Sequence, residues 1–202
     1  MDKTIFEDYL EECMASLNEK DASYASYHRW DMFLPENYEV IRADMNAQKI
    51  APNVVDIGCG AGFGSEFFLD GSYIGVDESH PHIGVYSPKP LGEKFFNQGK
   101  PNVSYVIDTF PSDAITGLLK KKTAISSMCL GAYGEMFKDN CKEIFESYCK
   151  SLQSAQNIYI CAPKKLTNFV GSYFGGSKEV GEHVEFGGES CTVCPIIHVK
   201  MD

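Results

Sequence analysis

The sequence predicts an α/β fold: a Rossmann-like three-layer sandwich with about seven strands in a mostly parallel sheet, a C-terminal antiparallel hairpin, and helices ahead of the first strand. Three observations predict it. From Asn53 onward, short apolar runs alternate with segments of helical periodicity. The first apolar run ends in an acid followed by glycines at alternating positions, Asp56-Ile-Gly58-Cys-Gly60-Ala-Gly62. The alternation breaks near the C-terminus, where two strand-like runs flank Gly187-Gly188-Glu189-Ser190, a hairpin signal.

Ahead of the sheet, Ile5, Phe6, Tyr9, Leu10, Cys13 and Leu17 recur at spacings of three and four, which put one apolar stripe on a helix. An aromatic stretch follows, and a second helix is expected from Pro35 to about Gln48, with proline suited to the first turn. The strands are then expected at Val54–Ile57, Tyr73–Val76, Val103–Ile107, Thr123–Met128, Asn157–Cys161 and Thr192–Val199, with a weaker one near His183–Phe186. Helices are expected at Gly64–Leu69, Ser112–Leu119, Asn140–Gln153 and Lys164–Tyr173. The segment Glu78–Lys100 holds Pro81, Pro88 and Pro90, so a helix there is expected to be short or displaced. The 202 residues suit one domain, with 1–50 as a helical cap and 51–202 as the Rossmann-like core.

Composition narrows the function classes. Eighteen Lys and Arg stand against 28 Asp and Glu, a net charge of −10. Such a surface repels phosphate backbones and disfavours a duplex-coating module, although a small basic patch can exist on an acidic protein. No basic n-region with an apolar h-region opens the chain, and no window has the roughly 18 uncharged apolar residues a membrane span requires. The eight cysteines include Cys59, Cys129 and Cys161 in or beside apolar runs, where a thiol acts as a small hydrophobe. A cytoplasmic chain with free thiols and no membrane partner is expected.

The glycine stretch carries the chemistry. Glycine permits positive φ and lets a ligand approach the backbone. Neither register, from Gly58 or from Gly60, completes Gly-x-Gly-x-x-Gly/Ala, and no Gly-Lys-Ser/Thr follows, so dinucleotide and P-loop readings both fail. A carboxylate at Asp56 repels a pyrophosphate but accepts from an amine. The second strand ends in Asp77-Glu78, 21 residues beyond Asp56, where an acid is placed to take both hydroxyls of a ribose.

Asp56-Ile-Gly-Cys-Gly-Ala-Gly62 followed by Ile74-Gly-Val-Asp77 resembles the cofactor-binding half of the class I S-adenosylmethionine-dependent methyltransferases. The motifs cover about Val54–Met128; topology carries the resemblance to the C-terminus. The resemblance implies S-adenosylmethionine as cofactor. Gly58, Cys59, Gly60 and Gly62 would make room for its methionine and adenosine portions. Asp56 would meet the methionine end, often through water, Asp77 would hold the ribose diol, and Glu78 would lie near the adenine edge. Asp108, with Thr109 second, would face the adenine amino group, and Asp108 as a helix N-cap is the rival reading. Residues Ser127 to Gly131, Cys129 among them, would floor the methionine chain.

Methyl transfer from a sulfonium needs alignment of nucleophile, methyl and sulfur, and a general base only for a protonated nucleophile. The Asp/Asn-Pro-Pro-Tyr/Phe motif of amino-methylating nucleic-acid enzymes and the Pro-Cys of cytosine-C5 enzymes are both missing, which favours a small-molecule or protein acceptor over nucleic acid. Tyr27, His28, Arg29 and Trp30 precede the first strand, where the family often folds a cap. Arg29 suits a carboxylate and His28 a general base; Tyr27, Arg29 and Trp30 are substrate candidates and Tyr133 a second catalytic candidate. The rival reading has Tyr27 and Trp30 simply packing helices onto the sheet. No metal site is expected: Cys191-x-x-Cys194-x-x-x-His198 lacks a second Cys pair, and strand alternation sends its cysteines to opposite faces. Lys120–Lys122 and Lys164-Lys165 read as solvated helix ends. A fold retained as a binding or scaffold module without catalysis is the alternative function.

Overall fold

The computed structural model describes residues 35–60, 62–77, 100–127, 141–187 and 190–201. Seven strands form one sheet: β1 (Asn53–Ile57), β2 (Ser72–Asp77), β3 (Val103–Ile107), β4 (Thr123–Ser127), β5 (Asn157–Cys161), β6 (Lys178–Gly187) and β7 (Ser190–Lys200), in the order β3-β2-β1-β4-β5-β7-β6. The pairs among β1 to β5 are parallel; β7 runs antiparallel to β5 and to β6. The order runs outward from β1 through β2 to β3 and, on the other side, through β4 to β5. The strand order reverses between β1 and β4, and in open α/β sheets ligands bind outside the carboxyl ends of the strands at such a point.

Among the described residues, four α-helices flank the sheet: α1 (Pro35–Ala47), α2 (Asp113–Leu118), α3 (Cys141–Leu152) and α4 (Lys164–Tyr173). On α1 the buried residues Tyr38, Ile41 and Met45 recur at spacings of three and four, and they pack with Val54, Tyr73, Ile125 and Tyr159 on one face of the sheet. On α3, Phe145, Tyr148, Cys149 and Leu152 close the other face with Val55, Ile158 and Ile160. The central strands are therefore buried on both sides, which is why β1 and β5 read as near-continuous apolar runs rather than alternating ones. Cys59, Cys149, Cys161 and Cys194 are buried, and the Cys149 thiol is pushed up to about 12 by burial, so these thiols are core filler.

Three expectations need correction. The helix expected at Gly64–Leu69 is a short 3₁₀ turn, Phe63–Phe67. Phe63, Phe67 and Phe68 all lie against the Tyr38 ring, and a Cβ on Gly64 would stand 2.7 Å from it, so the chain is drawn onto α1 instead of continuing a helix. The weak strand near His183–Phe186 is longer, Lys178–Gly187. It is an edge strand with one partner, so its charged, glycine-containing sequence pairs without a strong apolar alternation, and the register shifts between Glu179 and Gly181. Finally, Asp108 does not itself cap α2: Ser112 is the N-cap, its Oγ accepting from Ile115 N at 3.2 Å. The helix expected around Ile5–Leu17 and the Pro-rich segment 78–99 lie outside the described residues.

Candidate functional site

The site is built on the bend after β1. Gly58, Gly60 and Gly62 all take left-handed backbone, at φ 74°, 55° and 80°, which is why alternating glycines occur here. The bend is tied to β2: Gly58 N and Cys59 N both donate to Val76 O, at 2.8 and 3.1 Å, and Gly60 N donates to Asp77 Oδ2 at 2.6 Å. Asp77 thus braces the bend as well as ending β2. Cys59 is buried, and its thiol donates to Gly60 O at 3.5 Å within the bend.

Beneath the bend lies Asp56, which is fully buried. The hydroxyls of Tyr38 and Tyr73 both donate to its Oδ2, at 2.8 and 2.6 Å, while its buried Oδ1 has no hydrogen-bond partner among the described residues. Burial raises the Asp56 carboxyl to about 6, and the charge on Asp77 pushes the same way, against the two tyrosine hydrogen bonds. The same burial, with the Asp56 charge alongside, raises both tyrosines well above their ordinary value, which keeps them as donors. Gly64 completes the arrangement, because a Cβ there would stand 2.9 Å from Asp56 Oδ2.

Tyr105 on β3 was not singled out by the sequence. Its ring stands where a Cβ on Gly62 or on Gly75 would be, at 2.1 and 2.7 Å, and its hydroxyl donates to Gly62 O at 3.2 Å. The signal lay in the register, which places Gly75 directly opposite Tyr105 across β2 and β3, an aromatic covering a strand glycine. Ile107 was also passed over. It lies opposite Asp77 in the register and is 44% exposed, an apolar surface at the carboxyl end of β3.

Asp108 follows β3, its N–H donating to Asp77 O at 3.0 Å. Its carboxylate reaches forward along the chain, accepting from Thr109 N and from Ser112 Oγ, both at 2.8 Å, so it orients the α2 cap. Thr109 is exposed beside it. The candidates Tyr27, His28, Arg29, Trp30, Glu78, Cys129 and Tyr133 lie outside the described residues.

The structure therefore brings together Asp56, the three glycines and Asp77 at the ends of neighbouring strands. Two carboxylates at a bend favour a cationic or hydroxyl-bearing ligand over a pyrophosphate, and the short 3₁₀ turn provides no long helix aimed at a phosphate. Among the described residues no group of His, Cys, Asp and Glu is arranged to hold a metal, and no helix is long and apolar enough to cross a membrane. His198, from the Cys-rich strand, is buried and engaged with Asn157 and Gln48.

No family model and no curated protein match the chain. Solved structures do. The magnesium protoporphyrin IX methyltransferase ChlM from Synechocystis PCC 6803, with bound SAH, matches over 96% of this chain and 94% of its own, at 14% identity and a TM-score of 0.56. WbdD, described as a bifunctional kinase-methyltransferase, matches over 84% of this chain at 16% identity and a TM-score of 0.57, and this chain spans only 38% of it. The 23S rRNA methyltransferase ErmE matches over 81% of this chain and 68% of its own, at 13% identity and a TM-score of 0.52. With the strand order, the antiparallel end of the sheet and these likenesses together, the chain has the class I methyltransferase fold.

Proposed function

We propose that the protein transfers a methyl group from S-adenosylmethionine to O, N or S of a small molecule or a protein side chain. The observation that carries this is the pairing of Asp56 and Asp77 around a bend of three left-handed glycines, at the point where strand order reverses.

The residues present fit the cofactor. Asp56 Oδ1 is a buried acceptor lacking a partner, suited to an amino group or to a water bridging to one. Asp77 is suited to a ribose diol, with Gly60 N holding its other edge in place. The exposed side chain of Ile107 suits the face of an adenine. When bound, S-adenosylmethionine supplies a methyl group activated by the sulfonium. The work left to the chain is to orient cofactor and acceptor and to exclude water. Tyr38 and Tyr73 keep Asp56 from rotating, and the bend, tied to Val76 and Asp77, keeps its own shape.

Calorimetric titration with S-adenosylmethionine and S-adenosylhomocysteine tests the reading. Binding of both is expected, weakened by Asp77→Ala; absence of heat and of thermal shift at millimolar ligand would reject it. A second reading, a binding or scaffold module without catalysis, draws on Tyr105, whose ring takes up space above Gly62 that glycine would otherwise leave open. Cofactor binding without formation of S-adenosylhomocysteine in the presence of cell extract would favour that alternative.

A further inference from the structure

At the far end of the sheet from the glycine bend, the amino ends of β1, β4 and β5 and the end of β7 surround a recess of about 750 Å³. Five lysines line it: Lys49, Lys120, Lys121, Lys122 and Lys200. No aspartate or glutamate does so among the described residues, in a chain where acids outnumber bases 28 to 18. A concave surface lined by one sign of charge concentrates counter-ions.

Two of these lysines sit in backbone that disfavours them. Lys49 and Lys121, at φ 57° and 61°, are the two non-glycine residues with positive φ among the described residues, and both line the recess. Lys49 closes α1 in a Schellman-type turn, with Ile50 N donating to Met45 O at 2.8 Å, a place where glycine is usual. Lys121 follows α2 in the same conformation. Strain of this kind persists where something other than local geometry selects the residue.

Helix ends account for only part of the charge. The carboxyl ends of α1, α2 and α3 reach this side, each worth about half a negative charge. Lys122 Nζ donates to Leu118 O at 3.1 Å and so serves α2. The remaining lysines exceed what the helices require. The recess is also tied together: Gln156 N donates to Lys122 O at 2.9 Å and Met201 N to Gln156 O at 3.0 Å, linking three segments of its floor. Among the described residues that line it none is aromatic, so none of them would stack a nucleobase.

We propose that this recess is a second ligand site, separate from the glycine bend, that binds a small anion carrying two or more phosphate groups. Lysine ammoniums are compact point charges with three donors each, and several lysines lining one hollow suit clustered phosphate oxygens. This proposal does not rest on the cofactor reading, since the two sites lie at opposite ends of strands roughly 15 Å long.

The test is titration of the full chain at low salt with inorganic tripolyphosphate, orthophosphate and a mixed-sequence single-stranded RNA. Tripolyphosphate is expected to bind, at least about tenfold more tightly than orthophosphate, with affinity falling as salt rises. A triple variant, Lys49→Gln with Lys121→Gln and Lys200→Gln, should lose about tenfold or more in affinity, while a Lys164→Gln with Lys165→Gln control should not. Lys49→Gly and Lys121→Gly should weaken binding while leaving the thermal midpoint equal or higher, because glycine relieves the left-handed backbone. No binding to wild type, or equal loss in the control, would overturn the proposal. RNA binding more tightly than tripolyphosphate, and lost in the triple variant, would also overturn it in favour of a nucleic-acid backbone.

Discussion

The hydroxyl of Tyr38 lies 2.8 Å from Oδ2 of Asp56 and joins the helix ahead of the sheet to the acid at the end of its first strand. Tyr73 reaches the same oxygen from β2, so one carboxylate is clamped by two elements and keeps its other oxygen uncommitted. Such an arrangement is costly for the fold: a fully buried charge is retained where an apolar residue would pack.

Asp56→Asn should expose that cost. The folded-state value, about 6, lies above the ordinary 3.8, so the folded protein holds a proton that the unfolded chain releases first. The Asp56 contribution is fully present below about pH 4 and is lost as pH rises to about 6, a change of about 3 kcal/mol. Urea unfolding of wild type and variant from pH 4 to 8 should show the variant gaining by that amount relative to wild type. A difference independent of pH would contradict it. The same variant should bind S-adenosylmethionine less tightly if the proposed function holds.

Tyr38→Phe removes one of the two donors. Its cost should be about 1.5–3 kcal/mol at pH 8, where the acceptor is charged, and nearer 1 kcal/mol at pH 5, where it is mostly neutral. The pH range of the Asp56 transition should move upward in the same unfolding series, because a hydrogen bond favouring the ionised form is gone.

Gly62→Ala should destabilise for two separable reasons. The left-handed backbone costs about 1–2 kcal/mol with a Cβ, and the Tyr105 ring occupies the position that Cβ needs. In a Tyr105→Ala background only the first should remain. A double-mutant cycle on thermal unfolding should therefore give a coupling of about 1–3 kcal/mol; zero coupling would mean that the ring moves aside freely.

Asp44 is the hub of a polar cluster joining α1 to the end of the sheet. It accepts from Tyr159 Oη at 2.8 Å and from Lys178 Nζ at 3.1 Å, and lies 3.3 Å from Nδ1 of His198, whose ring stacks on Tyr159. Burial lowers His198, opposed by the Asp44 charge. Its unfolded form takes a proton first, so this contribution is present above the ordinary 6.5 and is lost as pH falls toward the lowered folded value. Asp44→Asn removes the opposing charge. An NMR titration of the His198 ring should show its midpoint below 6.5 in wild type and lower again in the variant, with a stability loss of about 1.5–3 kcal/mol from the charged hydrogen bonds. A midpoint that rises in the variant would contradict the arrangement.

Most of the sheet was legible because buried parallel strands carry their own signal. Asn157–Cys161 and Val103–Ile107 could be bounded from apolar runs and flanking turn residues, and Lys164–Tyr173 from its apolar stripe after Pro163. The bend was legible because left-handed backbone selects glycine directly, and three alternating glycines have few other causes. The 3₁₀ turn was not, because Phe63 and Phe67 have ordinary helical spacing and only the Tyr38 ring, distant in sequence, diverts them. Asp108 could be assigned to a ligand or to a cap with equal reason; the cap itself is Ser112, four residues on, whose hydroxyl donates to Asp108.

By itself, then, the sequence determined the α/β alternation, the glycine bend and the placing of acids at the ends of the first two strands, since all three depend on local periodicity and backbone sterics. Tertiary structure alone decided that Asp56 is gripped from α1 and β2, that Tyr105 covers Gly62 and Gly75, and that five lysines from separate segments share one hollow. Those relationships depend on strand register and helix docking, which arise from packing between residues far apart in the chain and leave no periodic trace in any one segment.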